Sequence, residues 1–286
     1  MNSMMKLIAL LSVDLLVGCA SGHQKTTKSS VVDYLYPKSS SVKVEPSVPI
    51  LKLPIKLGIA FVPEGSGLDN SYSFWGGSSA GDISLTEARK TSIINSMAAH
   101  FKKYAFIGEI QQIPSNYLTP GGSFTNLDQI KTMYGIDVIA LVSHDQVQFT
   151  DEGVLSLSYW TLVGAYVVSG EKNDTSTLID TAVYDIASRK LLFRAPGTSN
   201  VKGRSTPVNL SEELRNDSVA GFELATTQMV NNLDTQLAIF RGKAKENPEQ
   251  VQVVKSAGSS GGGALDLWTL VAMAFAVVVV RRISKS

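Results

Sequence analysis

One thiol, three imidazoles and a few paired glycines are the residues of this chain whose types and spacing could do chemistry. Cys19 is the single cysteine of 286 residues, which excludes an internal disulfide framework and a cysteine-rich metal site. It follows Leu16-Val17-Gly18 at the end of a largely apolar run, residues 7–17, with Lys6 and the amino terminus supplying positive charge in front. That is the layout of an export signal. Small residues ahead of a cut fit the narrow subsites of a signal peptidase, and a thiol placed there can accept a diacylglycerol group. His23, His100 and His144 are dispersed without ligand spacing, so no metal site is expected. Ser143-His144-Asp145 has the residue types of a hydrolytic triad, but neighbours on a strand point to opposite faces and cannot converge on one another. No G-x-S-x-G elbow accompanies them, so polarity at a strand end is preferred and no catalytic residue is assigned. Gly76-Gly77 and Gly121-Gly122 lie in neither a dinucleotide nor a P-loop pattern and read as turns.

The other end carries a second kind of signal. Gly258-Ser259-Ser260-Gly261-Gly262-Gly263 precedes an almost wholly apolar stretch, residues 264–280, closed by Arg281, Arg282 and Lys285. As a helix rising about 1.5 Å per residue this stretch reaches about 25 Å, within the range accepted for a transmembrane segment. The basic cluster, residues 281–286, would stay cytoplasmic and leave the body outside. Asp266 falls in the first turn, at the polar interface, and Trp268 suits an interfacial position. Glycine weakens a helix by about 1 kcal/mol per residue, so the entrance to this segment can unwind. An intramembrane protease needs that opening.

Leu16-Val17-Gly18-Cys19 resembles a bacterial lipobox. The resemblance implies acylation of Cys19, removal of residues 1–18 by lipoprotein signal peptidase, and a further acyl chain on the new amine from the acyltransferases. Several chains anchor firmly where one is marginal. Asp14, inside the apolar run, departs from the usual signal. Ala20 and Ser21 follow the cysteine, and the absence of Asp there implies transfer to the outer membrane. The glycine run, apolar helix and terminal arginines resemble a GlyGly-CTERM sorting tail, which implies processing at Gly261, Gly262 or Gly263 by rhombosortase, a rhomboid-type serine protease. Taken together the two ends are similar to the rhombotarget lipoprotein family, over the whole chain. The localisation so implied is the envelope of a two-membrane bacterium, with a lasting lipid anchor after transient insertion in the inner membrane. The alternatives are an ordinary secretory signal with an incidental cysteine, and a permanent C-terminal anchor behind a flexible linker.

Between the ends, Lys and Arg number 26 against 25 acidic residues, so no global field favours a nucleic-acid partner. Residues 19–54 carry Pro37, Pro46, Pro49 and Pro54 among Ser, Thr and Lys and read as a flexible tether; residues 242–263 read as the matching linker. The body is then 55–241. Alternation over 55–61 predicts a half-buried strand. A long loop over 63–82 follows, and in it Tyr72, Phe74 and Trp75 offer a partner-binding surface or, equally, fold back onto the core. Ser84 and Glu87 form a capping box ahead of a helix with Ile93, Ile94, Met97, Phe101 and Tyr104 on one face. A strand over 107–113 ends at Pro114, and a second helix is capped by Asn126, with Ile130 and Met133 on its face and Gly135 beyond it. Strands are expected over 138–149, 154–168 and 178–186, with a hairpin turn into 191–194. A final helix over 211–240 bears a stripe of Phe222, Ala225, Met229, Leu233 and Leu237.

This order of elements predicts one α+β domain, a mixed sheet covered by helices. It is similar to the small domain of penicillin-binding-protein activators and of the curli secretion lipoprotein. The function expected is that of a non-catalytic lipoprotein, without cofactor beyond the lipid on Cys19, whose body binds or activates an unidentified envelope protein. A subunit of an oligomeric secretion pore and a hydrolase are the alternatives.

Overall fold

Strand order follows from two crossovers of one hand. In the computed structural model, which describes residues 23–37, 47–64, 85–152, 171–206 and 209–255, the first strand of the body, β3 (Ile55–Phe61), runs parallel to β4 (Ile107–Ile113) on one side and to β5 (Val138–Glu152) on the other. The chain moves outward from β3 to β4, then back past β3 to β5. Right-handed parallel crossovers in opposite directions put their helices on opposite faces. Helix α2 (Glu87–Phe101) packs its Ile93, Ile94, Met97 and Phe101 into one core, whereas α3 (Ser123–Tyr134) packs Phe124, Leu127 and Ile130 into another.

The antiparallel half is a meander. β6 (Glu171–Asp185) pairs with the whole of β5, and β7 (Lys190–Ser205) with the whole of β6, giving the order β4-β3-β5-β6-β7. The expected hairpin turn is present: Asp185 Oδ2 accepts the Ser188 N–H at 2.8 Å, and Arg189 takes φ +59. The long helix α4 (Leu210–Glu246) lies on the same face as α2, with Phe222, Ala225, Met229, Leu233 and Leu237 all buried. The mixed sheet with packed helices is the architecture expected. Among the described residues no helix is long and apolar enough to cross a membrane; the stretch 264–280 lies outside them. Residues to Val254 form one compact unit, and Lys255–Ser286 a second, described only at Lys255.

Several expectations are corrected. Part of the supposed tether 19–54 is folded: β1 (His23–Lys28) pairs antiparallel with the outer half of β5, the helical turn α1 (Val31–Leu35) buries Tyr34 and Leu35, and β2 (Ile50–Leu53) joins β8 (Gln252–Lys255) in a separate two-stranded sheet. The body therefore extends past 241 as well, since α4 continues to Glu246. β3 is buried on both faces rather than one, because Ala60, with Val62 just past the strand, meets the α1–α3 core. Gly58 makes room there: a Cβ would lie 2.5 Å from Ile136 Cδ1 and 2.8 Å from Ile113 Cδ1, so both side chains would have to shift. Thr86, not Ser84, caps α2. Asn126 does not cap α3, which starts three residues earlier; its buried side chain accepts from the Tyr34 hydroxyl at 2.8 Å and from the Thr119 N–H at 3.0 Å. Met133 is 61% exposed and off the core face. β6 and β7 also run well beyond 178–186 and 191–194. The expected strand 154–168 lies outside the described residues.

Candidate functional site

Where α4 overruns its expected end, it builds a cavity. Leu237, Phe240, Arg241, Ala244, Lys245 and Pro248 fall at spacings of three and four, so one side of the last turns of α4 and the residues after it faces the same space. Opposite stand Leu57, Val138 and Val183 of the sheet, Leu192 and Phe193 of β7, and Phe101 at the end of α2. β2 and β8 close a further side with Leu51, Leu53, Val253 and Val254. The cavity volume is about 680 Å³, in the range of pockets that bury a small ligand. Leu53, Phe106, Ile107, Leu192, Phe193 and Phe240 are only half-buried, and Val253 and Val254 remain 52% and 47% exposed. Apolar surface is thus held open to solvent rather than collapsed into core.

The cavity's polar content is small and of one sign. Only Arg241, Lys245 and Gln252 among its lining residues carry polar side chains. Arg241 sets its guanidinium 5.3 Å from the Phe106 ring centroid, and Phe193 and Phe240 stack tilted at 5.8 Å. Arg241 and Lys245 make no ion pair among the described residues.

A second, polar cluster surrounds His144. Ser143 and Asp145 point away from the His144 side, as strand alternation demands, so the three sequence neighbours do not converge. What meets His144 comes from elsewhere: Ser29, just after β1, places its hydroxyl 3.1 Å from Nδ1 and accepts the His144 backbone N–H at 3.0 Å. Glu64 Oε1 lies 3.6 Å from Nε2, too far for a hydrogen bond, and Lys90 is 3.9 Å from the same carboxylate oxygen. The ring sits edge-on between Phe61 and Phe222. Burial, with help from the Lys90 charge, holds the imidazole down to about 4, so it is neutral at pH 7. Nδ1 then accepts from Ser29, which leaves the proton on Nε2 without a partner. Serine, histidine and carboxylate are the components of a hydrolytic triad, but Ser29 and His144 are 5% and 1% exposed. A substrate carbonyl has no access to that hydroxyl in this conformation. The cluster fastens the β1 end to β5.

His100, also buried, places Nε2 2.8 Å from Asp234 Oδ1, and the Tyr104 hydroxyl donates to the same oxygen, so α2 is clamped to α4. Burial first, then Asp234, raises the Tyr104 hydroxyl to about 12. Among the described residues no group of His, Cys, Asp and Glu could hold a metal ion.

Cys19 with Leu16, Val17 and Gly18, the glycines Gly261, Gly262 and Gly263, and the aromatic trio Tyr72, Phe74 and Trp75 all lie outside the described residues. The cavity was not anticipated, although two signals pointed to it. The apolar stripe of α4 continues through Phe240 and Ala244, and Val251, Val253 and Val254 cluster in a segment that reads as linker.

Fold and cavity together define an α+β domain with an open apolar pocket. No protein-family model and no curated protein matches the chain. Among solved structures it is similar to the dodecamer of a PelC variant from Paraburkholderia phytofirmans, at 10% identity over 73% of this chain and 99% of that one, with a TM-score of 0.24.

Proposed function

We propose that the chain is a lipid-anchored envelope protein, held by Cys19 and released from its C-terminal helix by cleavage within Gly261 to Gly263, whose body is a binding module for an apolar group of another envelope component. The open cavity between α4, β7 and the β2–β8 pair carries this reading. Its half-exposed aromatic and aliphatic lining costs free energy in water and gains it when covered.

A neutral, polarity-sensitive naphthalene dye added to the full chain tests it. The dye should brighten on binding, and Ala244→Trp, which places an indole in the cavity from a half-buried helical position, should abolish the signal. Equal binding by both chains would remove the cavity from the function. The ends are tested separately by intact mass. Loss of residues 1–18 with acyl mass on Cys19, and loss of everything after the glycine run, is the expected result; a mature chain still ending at Ser286 would exclude the processing.

A further inference from the structure

We infer that the ligand of this cavity is a membrane-derived amphiphile with a single acyl chain and an anionic head group. The inference rests on the cavity reading above and adds the ligand's charge and shape. The chain's charges nearly balance, yet both charged residues lining the cavity are cations, Arg241 and Lys245, with no carboxylate among the lining residues. They stand one turn apart on α4, so both heads lie on one side of the helix. Their stems add to the apolar wall while the charged ends can reach water, the arrangement in which long basic side chains cover apolar surface. Arg241 is oriented by its stacking on Phe106, and its planar fork matches a phosphate or carboxylate. Away from these two, the exposed Gln252 is the only polar side chain of the lining, so the buried wall offers no side-chain partner to a polar ligand body. A chain that is apolar along its length and negative at one end matches both the apolar wall and the two cations. A volume of about 680 Å³ suits one chain better than the bulk of a multi-chain lipid.

The probe is a photoactivatable alkyl phosphate, compared with the alkyl alcohol of equal length, each incubated with the full chain in phosphatidylcholine vesicles and mapped by peptide mass. Labelling of peptides bearing Phe193 and Phe240 is expected from both. The phosphate should label about fivefold more than the alcohol, since two exposed cations each contribute modestly. Arg241→Gln with Lys245→Gln should bring the phosphate down to the alcohol's level and leave the alcohol unchanged. Equal labelling by the two probes on the unaltered chain overturns the anionic head group and leaves the cavity reading intact. Labelling by neither, or labelling that Ala244→Trp does not reduce, overturns both. A dimer by light scattering that Ala244→Trp dissolves, with no labelling, means that a second copy covers the cavity, and this also overturns the proposal.

Discussion

Past Phe222, helix α4 rests on Ile179, Val183 and Ala195 of the sheet; before it, the same helix lies on Gln146, Gln148, Thr175 and Thr177. Both halves are buried, but they are held by different physics. In the apolar half, Met229, Leu233 and Ala225 are fully shielded from solvent, and stability comes from removing their surface from water. In the polar half, Gln146 donates to the Thr177 hydroxyl at 2.7 Å and to the Ser218 carbonyl at 3.3 Å, while the Ser218 hydroxyl donates back to Gln146 at 2.7 Å. Gln148 repeats the motif one step along, to Thr175 and to the Leu214 carbonyl. Each such bond replaces one to water and nets little, but breaking it inside is costly. The polar half therefore sets where the helix sits, and the apolar half how tightly. Close approach follows from small residues: a Cβ on Gly221 would lie 2.5 Å from the Thr177 hydroxyl oxygen.

The largest expected effect tests the apolar half. Met229→Ala should destabilise by about 3 kcal/mol in denaturant unfolding, the cost of a large buried side chain and the cavity left behind. A loss below about 1 kcal/mol would contradict the division of labour, since that is the scale of surface substitutions.

Next is the junction at His144, where the two halves meet. Its imidazole is held down to about 4 against an ordinary 6.5. Stability from the neutral ring is fully present above pH 6.5 and is lost as pH falls toward 4, by on the order of 3 kcal/mol at the lower end. The pH dependence of unfolding should shrink in His144→Gln over this window; an unchanged profile would place the acid sensitivity elsewhere.

In the polar half, Gln146→Leu strands the Thr177 and Ser218 hydroxyls and should cost about 2 kcal/mol. Adding Thr177→Val should recover part of it, a coupling that a double-mutant cycle measures. The smallest effect has the opposite sign. Asp217 lies on the buried side of the early turns of α4, with Oδ2 lacking a partner; burial first, then the Glu213 charge, raises its carboxyl above the usual range against a hydrogen bond to Asn173 that lowers it. A raised carboxyl favours the fold below its ordinary titration and loses that support as pH rises. Asp217→Asn should then stabilise the protein at pH 7 by about 1 kcal/mol; destabilisation would show that the Asn173 hydrogen bond outweighs the cost of burying the charge.

This contrast also explains what could be read from residues alone. β3, the turn at Ser188 and the stripe from Phe222 to Leu237 were legible because apolar residues recur there at strand or helix spacing. The outer halves of β6 and β7, with sequences such as Glu171-Lys172-Asn173-Asp174-Thr175, gave no such signal. Their inward residues Asn173, Thr175 and Thr177 are buried but polar, so alternation of hydrophobicity disappears although alternation of burial does not. β1 carries no aliphatic or aromatic hydrocarbon side chain in His23–Lys28, so it has no alternation of hydrophobicity to read. Ser29, which locks it to His144, is separated from that partner by 115 positions, a distance over which spacing carries no information. The cavity is hard to read from residues because its walls come from every strand of the parallel half, the β6–β7 hairpin, the β2–β8 pair and the ends of α2 and α4, and because α4 runs to Glu246, six residues past the end that its apolar stripe suggests.

Whether the body holds an acyl chain in the cavity flanked by Arg241 and Lys245 is decided by extracting full chain, purified from cells without added lipid, with organic solvent and analysing the extract by mass spectrometry. The wild-type protein should release an acyl amphiphile that is not covalently attached to the chain, and Ala244→Trp should release none. Equal recovery from both proteins, or none from either, would contradict the claim.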